Sequence, residues 1–239
     1  MAIEVFNRYE KKCLISEEAY RQMLTLIQPY MMMDAYQQSN GFYTISNLYY
    51  DTPQDELIIR SLEKPIYKEK LRLRAYGVPK ADDHIYLEIK KKYKGLVNKR
   101  RTDMVLTEAQ RYLKEKRLPE PRPHHNRQVL YEIQYLIDRC HLEPAVYIAY
   151  DRSAYFGDGL RITFDSNIRT RRHALQLEAG DFGEQLLERG WWLMEIKAEN
   201  AMPLWLAHAL SAMKIFPVSF SKYGKAHQLK MQKEVNQYA

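Results

Sequence analysis

Along several stretches of this 239-residue chain a charged side chain stands at every second position. Arg8, Glu10 and Lys12 form one such run, and Lys70, Arg72 and Arg74 another. Glu88, Lys90 and Lys92 follow, then Arg161 and Asp165, then Glu195, Lys197 and Glu199. The residues between them are mostly apolar: Leu71, Leu73 and Ala75; Leu87 and Ile89; Leu160, Ile162 and Phe164; Met194 and Ile196. On an extended strand residues two apart share a face, so each run draws a charged stripe. A single stripe is what the solvated face of an amphipathic sheet gives. Recurrence on five segments, rich in Arg where a merely soluble face would mix in Ser, Thr, Gln and Asn, favours charged faces turned towards one another inside a closed sheet. Cations gathered in that way repel unless an anion compensates them. A polyanion with a divalent metal meets that need: Arg offers paired donors to phosphate, Lys adds point charge, and carboxylates suit Mg²⁺ or Mn²⁺.

Period-2 alternation predicts strands over 4–14, 43–51, 66–76, 84–92, 98–106, 145–155, 160–165, 192–199 and 217–220. Helices are expected between them. Ser16 can cap a helix running to Pro29, and Thr107-Glu108-Ala109-Gln110 reads as a capping box. Val129, Leu130, Ile133, Leu136, Ile137 and Cys140 make an apolar stripe over 127–141 for packing against a sheet. Further helices are expected over 181–189, which ends at Gly190, after Pro203, and along the C-terminal tail. The fold class expected is α+β, with the strands closed into an antiparallel barrel because closure removes exposed edges, and with amphipathic helices covering its apolar outside. No Pro/Gly/Ser-rich linker divides the sequence, so residues 1–239 are expected to form one domain.

The balance of 37 Lys+Arg against 30 Asp+Glu, a net charge of +7, favours an anionic partner without naming it. The run KKKYKGLVNKRR from Lys90 has the composition of a nucleic-acid patch, but its first half alternates as a strand, and no nucleic-acid partner is expected. No stretch approaches the roughly 20 apolar residues of a membrane span, and the N-terminus lacks an apolar signal core, so a cytoplasmic protein is expected. Cys13 and Cys140 have neither metal-ligand nor disulfide spacing and are expected to be reduced and buried. His124 and His125 sit adjacent in the Pro-rich loop PEPRPHHN, where exposure is the simpler reading than metal binding, and Trp191 and Trp192 are expected to pack.

An ordered series of segments carries a resemblance: RYEKKCLI, SNLYYDT, EKLRLRAYG, YLEIKKKYKG, KRRTDM, YDRSAYFG, LRITFDSN, LMEIKAE and VSFSKYGKA. In that order, over nearly the whole chain, the sequence resembles the VTC-type polyphosphate polymerase domain, a branch of the CYTH-like triphosphate tunnel metalloenzymes. The resemblance implies an eight-stranded antiparallel barrel whose lumen binds triphosphate. It also implies a reaction that adds the terminal phosphate of ATP to a growing polyphosphate chain.

By the same resemblance Lys12, Arg72, Arg74, Lys90, Arg152, Arg161 and Lys222 look like the basic residues that hold phosphates, with Arg60 and Lys99 as further matches, and Glu195 like the metal-binding carboxylate. The tunnel enzymes' first-strand signature is ExExK. Here Arg8 takes the first Glu position and leaves Glu10 and Lys12, which argues against a thiamine-triphosphatase or adenylate-cyclase assignment. Ser219 stands where polymerases can carry a further basic residue. Neither the SPX domain nor the membrane segment of eukaryotic members is expected here. The division of labour implied is that Arg72, Arg74, Arg152 and Arg161 grip phosphates and Lys12, Lys90, Lys197 and Lys222 neutralise developing charge. Glu195 with Glu10 or Glu88 would place Mn²⁺ or Mg²⁺, and Arg8, Arg60 and Lys99 would complete the substrate contacts. A triphosphatase with water as acceptor, or a polyanion binder without turnover, would use the same residues.

Overall fold

The computed structural model describes residues 9–34, 41–94 and 96–238. In chain order the elements are β1 (Tyr9–Ser16), α1 (Glu17–Ile27), β2 (Met32–Met33), β3 (Tyr43–Asp51), α2 (Glu56–Leu62), β4 (Tyr67–Tyr76), β5 (His84–Tyr93), β6 (Leu96–Val105), α3 (Leu106–Glu115), α4 (Arg127–Arg139), β7 (Glu143–Gly157), β8 (Leu160–Arg171), β9 (Glu184–Gln185), β10 (Trp191–Ala198), α5 (Leu204–Ala212) and α6 (Lys222–Tyr238). Eight long strands run in the order β1-β10-β8-β7-β3-β4-β5-β6, all antiparallel, with two-residue β2 and β9 added on β7 and β8.

The sheet has ten strands and is not closed into the expected eight-stranded barrel. It nonetheless curls, which brings Lys12 on β1 close enough to Lys70 on β4 and Lys90 on β5 for their charges to interact. The edge that closure would have removed is covered instead. The Val218 N–H donates to the Lys12 carbonyl at 2.7 Å, so the segment 217–220, expected as a strand, lies against β1 as a strap with one backbone bond.

Alternation sorts the apolar side chains as the sequence predicts. On the convex side Cys13, Ile15, Met194 and Ile196 pack with Tyr20, Met23 and Ile27 of α1. Leu71, Leu73, Leu87 and Ile89 pack with Ala109 and Leu113 of α3 and with Val129, Ile133 and Leu136 of α4. On the concave side a smaller group, including Ile45, Tyr49, Val146, Ile148 and Leu193, is closed by Tyr223 and Ala226 of α6. Cys13 is buried, Cys140 is half-buried, and both are free thiols. Where β7 ends, a Cβ on Gly157 would lie 2.2 Å from the Tyr30 carbonyl oxygen. Gly157→Ala is therefore expected to cost roughly 2–3 kcal/mol, read as a lowered midpoint in urea unfolding.

Two helix expectations need correction. Ser16 does cap α1, accepting from the Ala19 N–H at 3.2 Å, but α3 starts one residue before Thr107, with no side-chain cap. Its first amides are satisfied by the preceding turn, Leu106 N–H to Asp83 O at 3.0 Å and Thr107 N–H to Ala81 O at 3.2 Å. The segment 181–189 is not a helix, because its backbone is drawn onto the sheet: β9 pairs β8, and the Leu186 N–H donates to Ile168 O at 2.7 Å.

Candidate functional site

The register of the curled sheet places the charged stripes on its concave face as successive rungs. Arg152 of β7 stands across from Asp165 of β8, which is opposite Leu193 of β10 and then Leu14 of β1. The next rung reads Ala154, Thr163, Glu195, Lys12, and the one after it Phe156, Arg161, Lys197, Glu10. Facing them, Arg74 pairs with Asn47 and Tyr86, Arg72 with Tyr49 and Glu88, and Lys70 with Lys90, which pairs with Lys99.

Two carboxylates in this face are buried among cations. Glu88 is 1% exposed. It accepts from Arg72 Nε at 2.8 Å and Nη2 at 2.6 Å, with Lys99 Nζ at 2.8 Å and Arg74 Nε at 3.7 Å. Burial alone would raise the Glu88 pKa, but the charges of Arg74, Arg72 and Lys99 outweigh it and hold the group well below the ordinary carboxylate range. Asp165 likewise accepts from Arg152 Nε and Nη2 at 2.6 and 2.8 Å and from Lys222 Nζ at 2.5 Å. These pairs orient the guanidinium groups from behind.

Glu195 and Glu10 are placed differently. Glu195 keeps some exposure and lies 2.7 Å from Lys197 Nζ and 3.8 Å from Lys12 Nζ, and Glu10 lies 3.3 Å from the same Lys12 ammonium. Burial pushes Glu195 up, and Lys197, Lys12 and Arg152 bring it well below the usual range, so it is ionised. Thr163, directly across the ladder from Glu195, has a buried Oγ1 with no hydrogen-bond partner among the described residues. Two carboxylates beside an unsatisfied hydroxyl are a hard-oxygen donor set. They fit a Mg²⁺ or Mn²⁺ ion that takes its remaining ligands from phosphate and water.

The lysines report an excess of positive charge. Burial, with Lys90, Lys68 and Lys12 nearby, brings Lys70 down to about 8 despite Tyr49. Burial with Arg74 and Arg72 brings Lys99 down to about 7 despite Glu88. Lys90 is lowered too, by burial and then by Lys12 and Arg72 against Glu10. The buried Tyr150 phenol, which burial would raise, is lowered to about 8 by Arg74, Arg152 and Lys222. Its ring also lies under Lys222 Nζ, 4.2 Å away, and Arg152, 5.1 Å away.

The sequence-expected residues divide by position. Lys12, Arg72, Arg74, Lys90, Lys99, Arg152, Lys197, Lys222, Glu10, Glu88 and Glu195 meet on this face. Arg161 sits one rung outward, its guanidinium 4.9 Å from the Phe156 ring and its Nε buried without a partner among the described residues. Arg60 is exposed on α2 and is not brought into the face, and Arg8 lies outside the described residues. Little in the local pattern marks Tyr49 and Tyr150, which resemble core aromatics, or Ser221. Ser221 Oγ accepts from Gly224 N–H at 3.2 Å at the start of α6 and from Lys70 Nζ at 3.3 Å.

The fold is an antiparallel sheet with flanking helices whose concave face gathers cations. A family model described as the VTC domain matches residues 7–230, and the chain belongs to that family. The structure is similar to that of a candidate adenylate cyclase from Bacillus halodurans, at 14% identity, 92% of this chain, 96% of that one and a TM-score of 0.54. It is also similar to a candidate adenylyl cyclase from Hippeastrum described as having a dominant triphosphatase activity, at 19% identity, 90% of this chain, 92% of that one and a TM-score of 0.51. No curated protein gives a significant match. No helix among the described residues is long and apolar enough to cross a membrane.

Proposed function

We propose that the concave face binds the triphosphate of ATP and transfers its terminal phosphoryl group to a polyphosphate chain. The observation that carries this reading is the crowding of cations on one concave face, where Lys70 pairs with Lys90 and Lys90 with Lys99, with Lys70 and Lys99 pushed down to about 8 and about 7, which a polyanion would relieve. Membership of the VTC family supports the polymerase form of the reaction. The activity named for the Hippeastrum relative favours hydrolysis as the second reading, with water as acceptor.

Phosphoryl transfer asks for charge neutralisation and in-line placement more than for a covalent intermediate. Arg72 and Arg74, braced by Glu88, and Arg152, braced by Asp165, hold the phosphate oxygens, and Arg161 extends the track outward. Lys12, Lys90, Lys197 and Lys222 balance charge on the oxygen that bridges to the leaving ADP. A terminal oxygen of the acceptor chain attacks the γ-phosphorus as the bond to that bridging oxygen breaks. The products are ADP and a chain longer by one phosphate. Glu195 and Glu10, with Thr163 beside them, are the residues that would hold Mg²⁺ or Mn²⁺, which supplies Lewis-acid neutralisation of phosphate charge. Glu88, surrounded by three cations, is assigned to positioning.

The test is incubation with ATP and Mn²⁺ or Mg²⁺ beside a Glu195→Gln control, following released phosphate and long-chain polyphosphate. Chain made by the wild type alone is the expected result. Phosphate without chain would make the protein a triphosphatase, and triphosphate binding without turnover would make it a receptor.

Proton linkage gives an independent check. Bound triphosphate favours the charged forms of Lys70 and Lys99 and raises their pKa values towards or above the ordinary lysine value of about 10.4. Binding therefore takes up protons from about pH 7 upward, and affinity falls as pH rises through that window. Calorimetry at pH 8.5 in two buffers of different ionisation enthalpy should show net proton uptake, and identical heats would contradict it.

A further inference from the structure

We propose that His84, Asp103 and His124 form a site for a divalent first-row transition metal of the zinc class, separate from the charged concave face. One ligand atom from each of the three lies within 4.8 Å of the others. His84 opens β5 and Asp103 nears the end of β6, two rungs apart on paired strands, so their backbones are fixed. The His84 ring nitrogen Nδ1 already contacts an Asp103 carboxylate oxygen. His124 arrives from the loop between α3 and α4, its ring centroid 5.2 Å from that of His84.

That loop is anchored. The His125 side chain is fully buried, with Nε2 3.3 Å from Glu108 Oε2, and Arg122 Nε lies 3.1 Å from the other oxygen of Glu108. The Asn126 N–H donates to Thr102 Oγ1 at 2.8 Å, while Asn126 Oδ1 caps α4 by accepting from the Val129 N–H at 3.2 Å. His124 is thus held at the surface by its buried neighbour. Glu108, His124 and His125 also bring ligand atoms within 4.8 Å of one another, so His124 is common to two potential chelating groups. His125 Nδ1 is buried with no hydrogen-bond partner among the described residues, a polar atom that the packing of this corner leaves unsatisfied.

The donor set selects the ion. Two imidazoles and one carboxylate suit Zn²⁺, Co²⁺ or Ni²⁺, whereas Mg²⁺ prefers oxygen alone. His84 and His124 are exposed, so an ion can enter and coordination positions stay open to water or a further ligand. A zinc ion here asks for Zn–N and Zn–O distances of about 2.0–2.2 Å.

Equilibrium dialysis of the whole chain against Zn²⁺ with Mg²⁺ in excess tests the site. Wild type and Glu195→Gln should each retain one Zn²⁺ per chain, and the double variant His84→Gln with His124→Gln should bind at least about tenfold more weakly. Equal binding by the double variant, or no zinc held by the wild type, would overturn the proposal. Circular dichroism checks that the double variant folds. If it does not, Co²⁺ added to the wild type gives the answer: visible d–d absorption that Zn²⁺ displaces supports the site, and its absence counts against it.

Discussion

Glu88→Gln is expected to cost about 3–5 kcal/mol of stability, the penalty typical of leaving buried charges unpaired, and inorganic tripolyphosphate is expected to restore much of it. Glu88 is 1% exposed and lies among Arg72, Arg74 and Lys99. Removing its charge leaves those cations facing one another in a poorly solvated face. The sign with pH follows from the direction of its shift. A carboxylate held well below its ordinary pKa stabilises the fold fully above the unfolded value of about 4.3, and that contribution disappears as pH falls through the folded value. Urea unfolding with and without tripolyphosphate measures both effects. A variant as stable as the wild type, or one that the anion stabilises no more than it does the wild type, would show that the cations are not held in mutual repulsion.

The second large effect concerns Glu195. On the proposed function, Glu195→Gln should lower turnover of ATP by at least about a hundredfold, since a carboxylate proposed to hold the metal has no neutral substitute. Tripolyphosphate affinity without metal should stay level or rise, because a negative charge beside Lys12 and Lys197 has been removed. That split between turnover and affinity separates a metal ligand from a merely structural carboxylate. If both fall together, Glu195 acts by ordering the two lysines.

Much of this arrangement was legible in the residues. The alternation over Tyr43–Asp51 coincides with β3, and the helical stripe from Val129 to Ile137 is the buried face of α4. The charged stripes on β1, β4, β5, β8 and β10 do turn towards one another, as repeated Arg and Lys at period two implied. What alternation could not convey was how the sheet ends. Closure depends on whether β1 and β6 meet, and the backbone donor that covers β1 comes from Val218, 206 positions after Lys12. Nor does local pattern report the offset between Ala149 and Asp151, where the register of β7 against β8 shifts. Lys222 was visible as a matching position, but its contact with Asp165 depends on α6 folding back over the concave face. Residues 181–189 have a helical composition, and the open edge of β8 outcompetes it by offering backbone partners. The histidines at 84, 124 and 125 were invisible as a group because a strand start and a distant loop meet only in the folded chain.

The most direct test of the central claim is calorimetric titration of inorganic tripolyphosphate into the wild type and Arg74→Ala at one fixed salt concentration. Arg74 is 8% exposed and points into the face, its Nε donating to Asn47 Oδ1 at 3.0 Å. The wild type should bind one tripolyphosphate per chain, and Arg74→Ala, with an unchanged circular dichroism spectrum, should bind it about ten- to a hundredfold more weakly, the loss of one charge-assisted contact. Equal affinity in the two proteins, or no binding by the wild type, would contradict the assignment of this face to triphosphate.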